Sequence, residues 1–393
     1  MGEKNLDFDT IIERKNTNSL KYDFAAEYGM PEDVMPLWVA DMDFRVSSYI
    51  QEAIRQKVEH GIFGYSDAKD EYFKAVAGWM ERHHNWKVEK EWLIRTPGIV
   101  FALATAIKAF TREGDGVLIC QPVYYPFREV VLDNNRKLVN SALVQDENGR
   151  YRVDFDDFEE KILRENVKLF ILCSPHNPVG RVWSREELIR IGEICKKHNV
   201  LVVSDEIHGD FVYEGKHQVF LGLCEEYKEF SIVCTSPSKT FNIAGLQMSN
   251  IFIPNEDLRK KFAHQIRAAG YSELNTVGLA ACEAAYGHGE EWYEGMLSYV
   301  ESNIDYVMEF LKENLPQITM GKPEGTYLVW LDFRGLSLDS DKLNELIVQK
   351  AGLWLDEGEM FGEEGKGFAR VNVACPRKIL TQALNKLKAA LDS

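Results

Sequence analysis

Between residues 90 and 240, short apolar runs alternate with helical patterns, and this alternation limits the possible fold more than any other feature of the chain. The apolar runs are Val117–Cys120, Val167–Cys173, Val200–Val203 and Ser231–Thr235. An amphipathic helix is predicted over Ser184–His198, between the second and third runs, and it opens with the capping box Ser184-x-x-Glu187. Buried strands separated by helices of this length predict an α/β fold, in which helices flank a mainly parallel sheet.

Near residue 290 the pattern changes to one of long helices. Helices are predicted over Glu290–Asn314 and Ser340–Ala351, with a strand at Thr326–Phe333 between them. This order is typical of a smaller α+β domain, and 393 residues are enough for two domains. We therefore predict three parts, an N-terminal arm that packs with the small domain, a large domain and a small C-terminal domain, over residues 1–45, 46–288 and 289–393.

The formal net charge of −16 constrains the partners of the chain. Nucleic acids and anionic membrane surfaces select basic patches on proteins, so neither is expected as a partner. The sequence has no run of about 18 apolar residues that would cross a membrane. Its first ten residues, MGEKNLDFDT, lack the basic and then apolar pattern of a signal peptide. A cytoplasmic protein is expected.

Three reactive polar residues follow the carboxyl ends of predicted strands. Asn177 comes after the second apolar run, Asp205 after the third and Lys239 after the fourth. Ligands of open α/β sheets bind outside the carboxyl ends of the strands, so these side chains are expected to meet at one site. Ser236 and Ser238 shortly precede the lysine, and two hydroxyls beside an amine suit a phosphate held next to an imine.

Each of these residues has a simpler interpretation when it is taken alone. Lys239 would be a solvated loop lysine, and Asn177, between two prolines and before a glycine, would belong to an ordinary turn. Asp205 would cap a helix, pair with a cation or, with His208 nearby, bind a metal ion. No third metal ligand follows at a recognisable spacing, so no metal is expected.

Taken together, the three motifs resemble those of a known enzyme family. Asn177 lies in PHNPxG, Asp205 in SDEIH and Lys239 in SPSKTFN, in that order. Over nearly the whole chain this is similar to the fold-type I pyridoxal-5′-phosphate (PLP) enzymes of the class I/II aminotransferase superfamily. The resemblance implies that the large domain binds PLP. Lys239 would hold it as a Schiff base and act as the catalytic residue, Asp205 would pair with its pyridine nitrogen, and Asn177 would bond its phenolic oxygen.

Further positions match the cofactor contacts of this family. The turn that opens the predicted helix Val100–Phe110 would offer the backbone donors of Ile99 and Val100 to the phosphate. Tyr124 would stack on the pyridine ring. Tyr65 would reach the phosphate from the neighbouring subunit, which implies a homodimer. The remaining residues that the resemblance adds to the cofactor-binding set are Ser236, Ser238 and His208.

The resemblance also supplies a site for an amino-acid substrate. Arg370, in FARVN, matches the arginine that grips the substrate α-carboxylate in a bidentate fork. Ala40 and Asn177 complete the predicted substrate-binding set.

Within the superfamily, the string PLWVADMDF at residues 36–44 resembles a signature of the cystathionine β-lyase subgroup, the MalY/PatB type. Many aminotransferases have a phosphate-binding arginine eight residues after the lysine, where this chain has Gln247, as the subgroup does. The implied reaction is β-elimination of cystathionine or another S-substituted cysteine to a thiol, pyruvate and ammonia, with homocysteine as the thiol from cystathionine. The sequence assigns no preferred thiol and no particular role to Asp41, Asp43 or His208.

Two alternative functions remain open from the sequence. An aminotransferase would use the same cofactor residues and would need a keto-acid acceptor. A PLP-binding regulator would act by contact with another protein, because a member of the resembling subgroup represses a transcription activator in this way.

Overall fold

A computed structural model describes residues 6–147 and 149–392. Its centre is a seven-stranded sheet. From one edge to the other, the strands are Leu93–Thr96, Ser249–Phe252, Ser231–Thr235, Leu201–Asp205, Val167–Cys173, Gly116–Ile119 and Lys137–Asn140. The last five strands in this order run parallel, and Ser249–Phe252 is antiparallel to both of its neighbours. The prediction of an α/β fold with a mainly parallel central sheet is confirmed.

The apolar runs form strands because the sheet buries them on both faces. In Val167–Cys173, Phe170 and Leu172 pack into one apolar cluster, whereas Leu169 and Ile171 pack into the cluster on the opposite face. Such alternation is a consequence of the strand geometry, in which successive side chains point to opposite faces. The sheet therefore presents only its strand ends to a ligand.

Helices cover the sheet and set the direction of the chain between strands. The helix Arg185–Lys197 begins at the predicted capping box, with Ser184 and Glu187 satisfying each other's backbone N–H groups. The helix predicted from Val100 begins one residue earlier. The other helices of the first 288 residues with at least eight residues are Ser48–His60, Asp70–His84, Ile99–Phe110, Pro126–Asp133, Phe155–Arg164, Glu256–Ala268 and Thr276–His288.

The C-terminal part combines two long helices with a small antiparallel sheet. The helices are Glu290–Asn314 and Arg377–Asp392, and the sheet has the strand order Leu328–Asp332, Phe368–Asn372 and Asp356–Glu357. The predicted helix Ser340–Ala351 is an α-helix over Ser340–Asn344 that continues as a π-helix over Glu345–Lys350.

The N-terminal arm packs against this part of the chain. Its strand Met35–Pro36 pairs in parallel with Leu353–Trp354, and the indole of Trp38 stacks on that of Trp354 at 4.3 Å between ring centroids. The division at residues 45 and 288 stays a prediction. In the part of the chain that the structure describes, no helix has the length and apolar character to cross a membrane.

Candidate active site

A cavity of about 190 Å³ opens at the carboxyl ends of the parallel strands. It brings together Asn177, Asp205 and Lys239, which the sequence places after three different strands. The other predicted site residues that line it are Ala40, Ile99, Val100, Tyr124, His208, Ser236 and Ser238. Arg370 lies behind Asn177, outside the lining, and Tyr65 lies on the surface.

A short helix presents Lys239 to the cavity. The helix Pro237–Thr240 directly follows a central strand, and the Ser236 side chain caps it by accepting a hydrogen bond from the Ser238 backbone N–H at 3.1 Å. The Lys239 Nζ donates to the Ala40 carbonyl at 2.6 Å. Burial lowers the pKa of Lys239 to about 8, so a substantial fraction of this amine is neutral near that pH.

Asp205 ends its strand inside the protein. Its Oδ1 accepts a hydrogen bond from the Ile207 backbone N–H at 3.1 Å. Burial raises the pKa of Asp205 to about 7, and the nearby charge of Lys239 only partly opposes this shift. A buried carboxylate with so few donors favours a protonated or cationic partner in the cavity.

His208 lies on the same loop and is also buried. Burial lowers its pKa well below the usual value, which keeps the imidazole neutral. Within the described ranges its Nδ1 has no hydrogen-bond partner. Buried polar atoms in proteins are almost always paired, so this nitrogen is suited to a ligand that enters the cavity.

The start of the helix Ile99–Phe110 forms part of the cavity wall. The first N–H groups of a helix have no partner within it, and they carry the positive end of its dipole. Ile99 and Val100 supply two of these groups beside the cavity. Ser236 and Ser238 also line the cavity, although the Ser236 hydroxyl already donates to the Met248 carbonyl at 2.7 Å.

Arg370 is buried in the middle of the strand Phe368–Asn372. Its Nη1 donates to Asn177 Oδ1 at 3.0 Å, and its Nη2 donates to the Trp38 carbonyl at 3.1 Å. The Nη2 atom also forms an ion pair with Asp356. Among the described residues nothing accepts a hydrogen bond from Nε, although that atom is buried.

The segment Trp38–Phe44, here called the roof segment, passes over Lys239 and Arg370. Asn242, three residues after Lys239, bonds both the N–H and the carbonyl of Met42 at 2.9 Å. Asn372, two residues after Arg370, donates to the carbonyls of Val39 and Asp41 at 2.7 and 2.6 Å. Sequence reasoning missed both asparagines as site residues, although each stands in a motif that was recognised.

The beginning of the N-terminal arm holds the roof segment through Arg14 and Lys21. Asp43 accepts from Lys21 Nζ at 2.8 Å and from Arg14 Nη1 at 2.6 Å. Asp41 pairs with Arg14 Nη2, also at 2.6 Å. The two aspartates of the PLWVADMDF string therefore hold the arm on the roof segment.

Tyr65 lies on the loop between two surface helices and is 93% exposed. Its neighbours Ile62 and Phe63 are also exposed. The structure does not bring Tyr65 to the cavity of its own chain. Its predicted contact requires a second subunit.

Several further residues line the cavity that were not predicted to do so. They are Pro97, Gly98, Cys173, Ile207, Ala244, Gln247, Met248 and Ser249. Cys173 ends the strand before Asn177, and this position at a strand end was the available signal. The structure, over residues 6–147 and 149–392, has no group of three or more histidine, cysteine or acidic side chains arranged to hold a metal ion.

The family model described as "Aminotransferase class I and II" matches residues 32–387. The chain belongs to the class I and II aminotransferase family. Cystathionine β-lyase PatB of Bacillus subtilis is 43% identical over 98% of this chain and 100% of that protein. The superfamily that the motifs predicted is therefore confirmed.

Two solved structures extend the comparison. A PLP-bound protein of Clostridium difficile 630, provisionally named an aminotransferase, is 43% identical with a TM-score of 0.96, over 98% of this chain and 100% of that one. Cystalysin of Treponema denticola, which contains PLP, is 39% identical with a TM-score of 0.95, over 99% of both chains. Both structures share the fold of this protein over at least 98% of its chain.

Proposed function

We propose that this protein is a PLP-dependent carbon–sulfur β-lyase that converts cystathionine or other S-substituted cysteines to a thiol, pyruvate and ammonia. The observation that carries the proposal is a cavity with Lys239, Asp205 and Asn177 at its wall, in a chain 43% identical throughout to a cystathionine β-lyase. The substrate is an amino acid, and the proposed location is the cytoplasm.

The cavity fits PLP at each of its polar ends. Asp205, a buried carboxylate with a raised pKa, would hold the protonated pyridine nitrogen. The free N–H groups at Ile99 and Val100 would hold the phosphate, with Ser238 beside them. His208 Nδ1, buried and without a partner among the described residues, would face the cofactor. Lys239 would attach it covalently.

The remaining residues would orient an amino acid. Arg370, with its unpaired Nε, would donate to the substrate carboxylate, and Asn177 already holds the guanidinium in place at 3.0 Å. Ala40, a residue of the roof segment, lies beside Lys239, and Tyr124 forms another part of the cavity wall. The substrate Cα would then lie near the Lys239 amine.

Lys239 is suited to act as the general base at the substrate Cα. Its lowered pKa, about 8, leaves a neutral amine available near physiological pH, and the Ala40 carbonyl at 2.6 Å fixes the position of that amine. PLP, when bound, supplies the electron sink that makes the Cα proton removable. The electron pair from the Cα–H bond then expels the thiolate from Cβ, and hydrolysis of the remaining fragment gives pyruvate and ammonia.

A panel of S-substituted cysteines tests this function. The proposal predicts pyruvate from several members, with rates that rise as the thiol becomes a better leaving group. Serine, with its poor hydroxide leaving group, is the matched control. Absence of pyruvate from every thiol-bearing member would reject the proposal.

Transamination is the second candidate, because the same cavity residues would serve it. Two observations bear on it. One solved relative is provisionally named an aminotransferase, whereas the cavity has the neutral Gln247 where many aminotransferases have a phosphate-binding arginine. Dependence of turnover on an added keto acid distinguishes the two reactions.

We further propose a homodimer with shared active sites. A cleft of about 910 Å³ lies between the helices Ser48–His60 and Thr276–His288, next to the loop that carries Tyr65. Ile62 and Phe63 on this loop are 72% and 60% exposed. A second copy of the chain would cover these side chains and receive Tyr65 at its cofactor phosphate.

A further inference from the structure

Arg370 is paired with a buried carboxylate of the same chain, that of Asp356. Asp356 lies directly opposite it on the neighbouring strand and forms an ion pair with its Nη2. Both side chains are almost completely buried, at 3% and 2% exposure. We propose that Asp356 sets the affinity of this site for the substrate carboxylate by neutralising Arg370, an inference that rests on the proposed function of Arg370 in carboxylate binding.

The donors of the guanidinium fix where a substrate can bind. An arginine side chain has five N–H donors, and here Nη1 bonds Asn177 while Nη2 bonds Trp38 and Asp356. The ring of Phe361 lies under the guanidinium, 4.9 Å from its central carbon. Nε is buried and has no partner within the described chain. This donor marks the side from which an acceptor of the ligand approaches.

Asp356 already balances the positive charge of Arg370 before a substrate binds. A second carboxylate on the same guanidinium would lie within a few ångströms of Asp356, where two like charges repel strongly at the dielectric of a protein interior. Hydrogen bonds from Arg370 would hold the substrate, with little net Coulomb attraction. The affinity would therefore be lower than that of an arginine without such a neighbour.

An orienting role for Asp356 predicts the opposite effect of mutation. If Asp356 served only to align Arg370, its removal would weaken carboxylate binding. Asparagine separates the two roles, because it keeps an acceptor oxygen of the same shape and removes only the charge. The direction of the change in affinity therefore decides between them.

The test measures dissociation constants of the holoenzyme by intrinsic fluorescence, with L-alanine and L-alanine methyl ester as ligands that have no leaving group. In Asp356→Asn, L-alanine should bind about tenfold more tightly or better, because one unit of like charge is removed. The ester, which lacks the charge, should change by less than about twofold. Glu357→Gln, the exposed neighbour on the same strand, is the matched control and should leave both constants unchanged. Unchanged or weaker binding of L-alanine by Asp356→Asn overturns the proposal.

The wild-type protein provides a second measurement if the asparagine variant does not fold. A neutral ion pair should favour L-alanine over its ester by no more than about tenfold, and a larger preference overturns the proposal. Pyruvate formation from S-methyl-L-cysteine is measured in parallel. Its absence would reject the lyase function, whereas the ligand affinities report on Asp356 whether or not the protein turns over.

Discussion

The Nζ of Lys239 lies 2.6 Å from the carbonyl oxygen of Ala40, although the two residues are 199 positions apart in the chain. The same oxygen accepts a hydrogen bond from the Tyr327 hydroxyl at 2.8 Å. One backbone carbonyl of the roof segment thus fixes the amine that follows the strand Ser231–Thr235. Lys239 is therefore positioned by the N-terminal part of the chain as well as by the sheet.

Replacement of Lys239 by alanine should abolish turnover and covalent attachment of the cofactor. The reason is that the proposed reaction uses this amine both as the attachment point and as the base. After borohydride treatment, peptide mass spectrometry should find PLP on Lys239 of the wild type and on no lysine of the variant. Reduction of PLP onto another lysine of the variant would contradict the assignment.

The buried carboxylate of Asp205 should lower the free energy of unfolding of the cofactor-free protein. Its pKa is about 7 in the fold and 3.8 in the unfolded reference, so the unfolded state loses the proton first as pH rises. The free energy of unfolding should therefore decrease as the pH rises from about 4 to about 7. Above about pH 7 the destabilisation is complete and amounts to at most about 4 kcal/mol. Asp205→Asn should therefore raise the melting temperature of the cofactor-free protein at pH 8, with little change at pH 4, while it lowers activity.

The exposed Asp133 provides the control for this comparison. Its replacement by asparagine should change the stability by less than about 0.5 kcal/mol at either pH. A cofactor-free Asp205→Asn variant that melts at or below the wild-type temperature at pH 8 would show that burial of the charged carboxylate does not destabilise the protein.

The sequence predicts those site residues that directly follow a recognisable strand. Asn177, Asp205 and Lys239 each follow a strand whose apolar run is visible, and the sheet topology then requires their strand ends to meet. Asp356 was not predictable in this way, because its contact with Arg370 depends on the register of two short antiparallel strands. Register is set by the hydrophobic pattern and by turn geometry, and the strand Asp356–Glu357 is too short to show such a pattern.

The structural role of the PLWVADMDF string could not be predicted either, because it also depends on contacts between positions distant in the sequence. Its aspartates bind Arg14 and Lys21, which lie 20 or more residues earlier in an arm with little regular structure. No periodic pattern links these positions. Similarly, the pattern that predicts a helix over Ser340–Ala351 gave no sign of the π-helical segment Glu345–Lys350.

Replacement of Asp43 by asparagine should destabilise the fold by up to about 3–5 kcal/mol. The buried Lys21 would lose the charge of its nearer carboxylate, at 2.8 Å, and keep only Asp41, at 3.7 Å. Lys21 is 1% exposed and Asp43 is 4% exposed. Urea unfolding measures the change, with the exposed Asp33→Asn as control. Equal stability of the Asp43→Asn variant and the wild type would argue against a structural role for the arm.

Subunits that carry different lesions should complement each other. Tyr65→Phe damages the site of the partner subunit, whereas Lys239→Ala damages the site of its own. A heterodimer would hold one site with both lesions and one with neither, so mixed and exchanged subunits should exceed the activity of either parent. No gain in activity, with subunit exchange proven by mass spectrometry, would count against shared sites.

Incubation with cystathionine in the absence of any keto acid distinguishes β-elimination from transamination. Removal of the Cα proton, proposed here for Lys239, is common to elimination and transamination, and only the fate of the electron pair at Cα separates the two reactions. The account predicts that pyruvate, ammonia and homocysteine accumulate over many turnovers while the cofactor keeps its aldehyde oxidation state. Product that stops at one equivalent per subunit, with the cofactor recovered as pyridoxamine phosphate, would identify an aminotransferase and contradict the account.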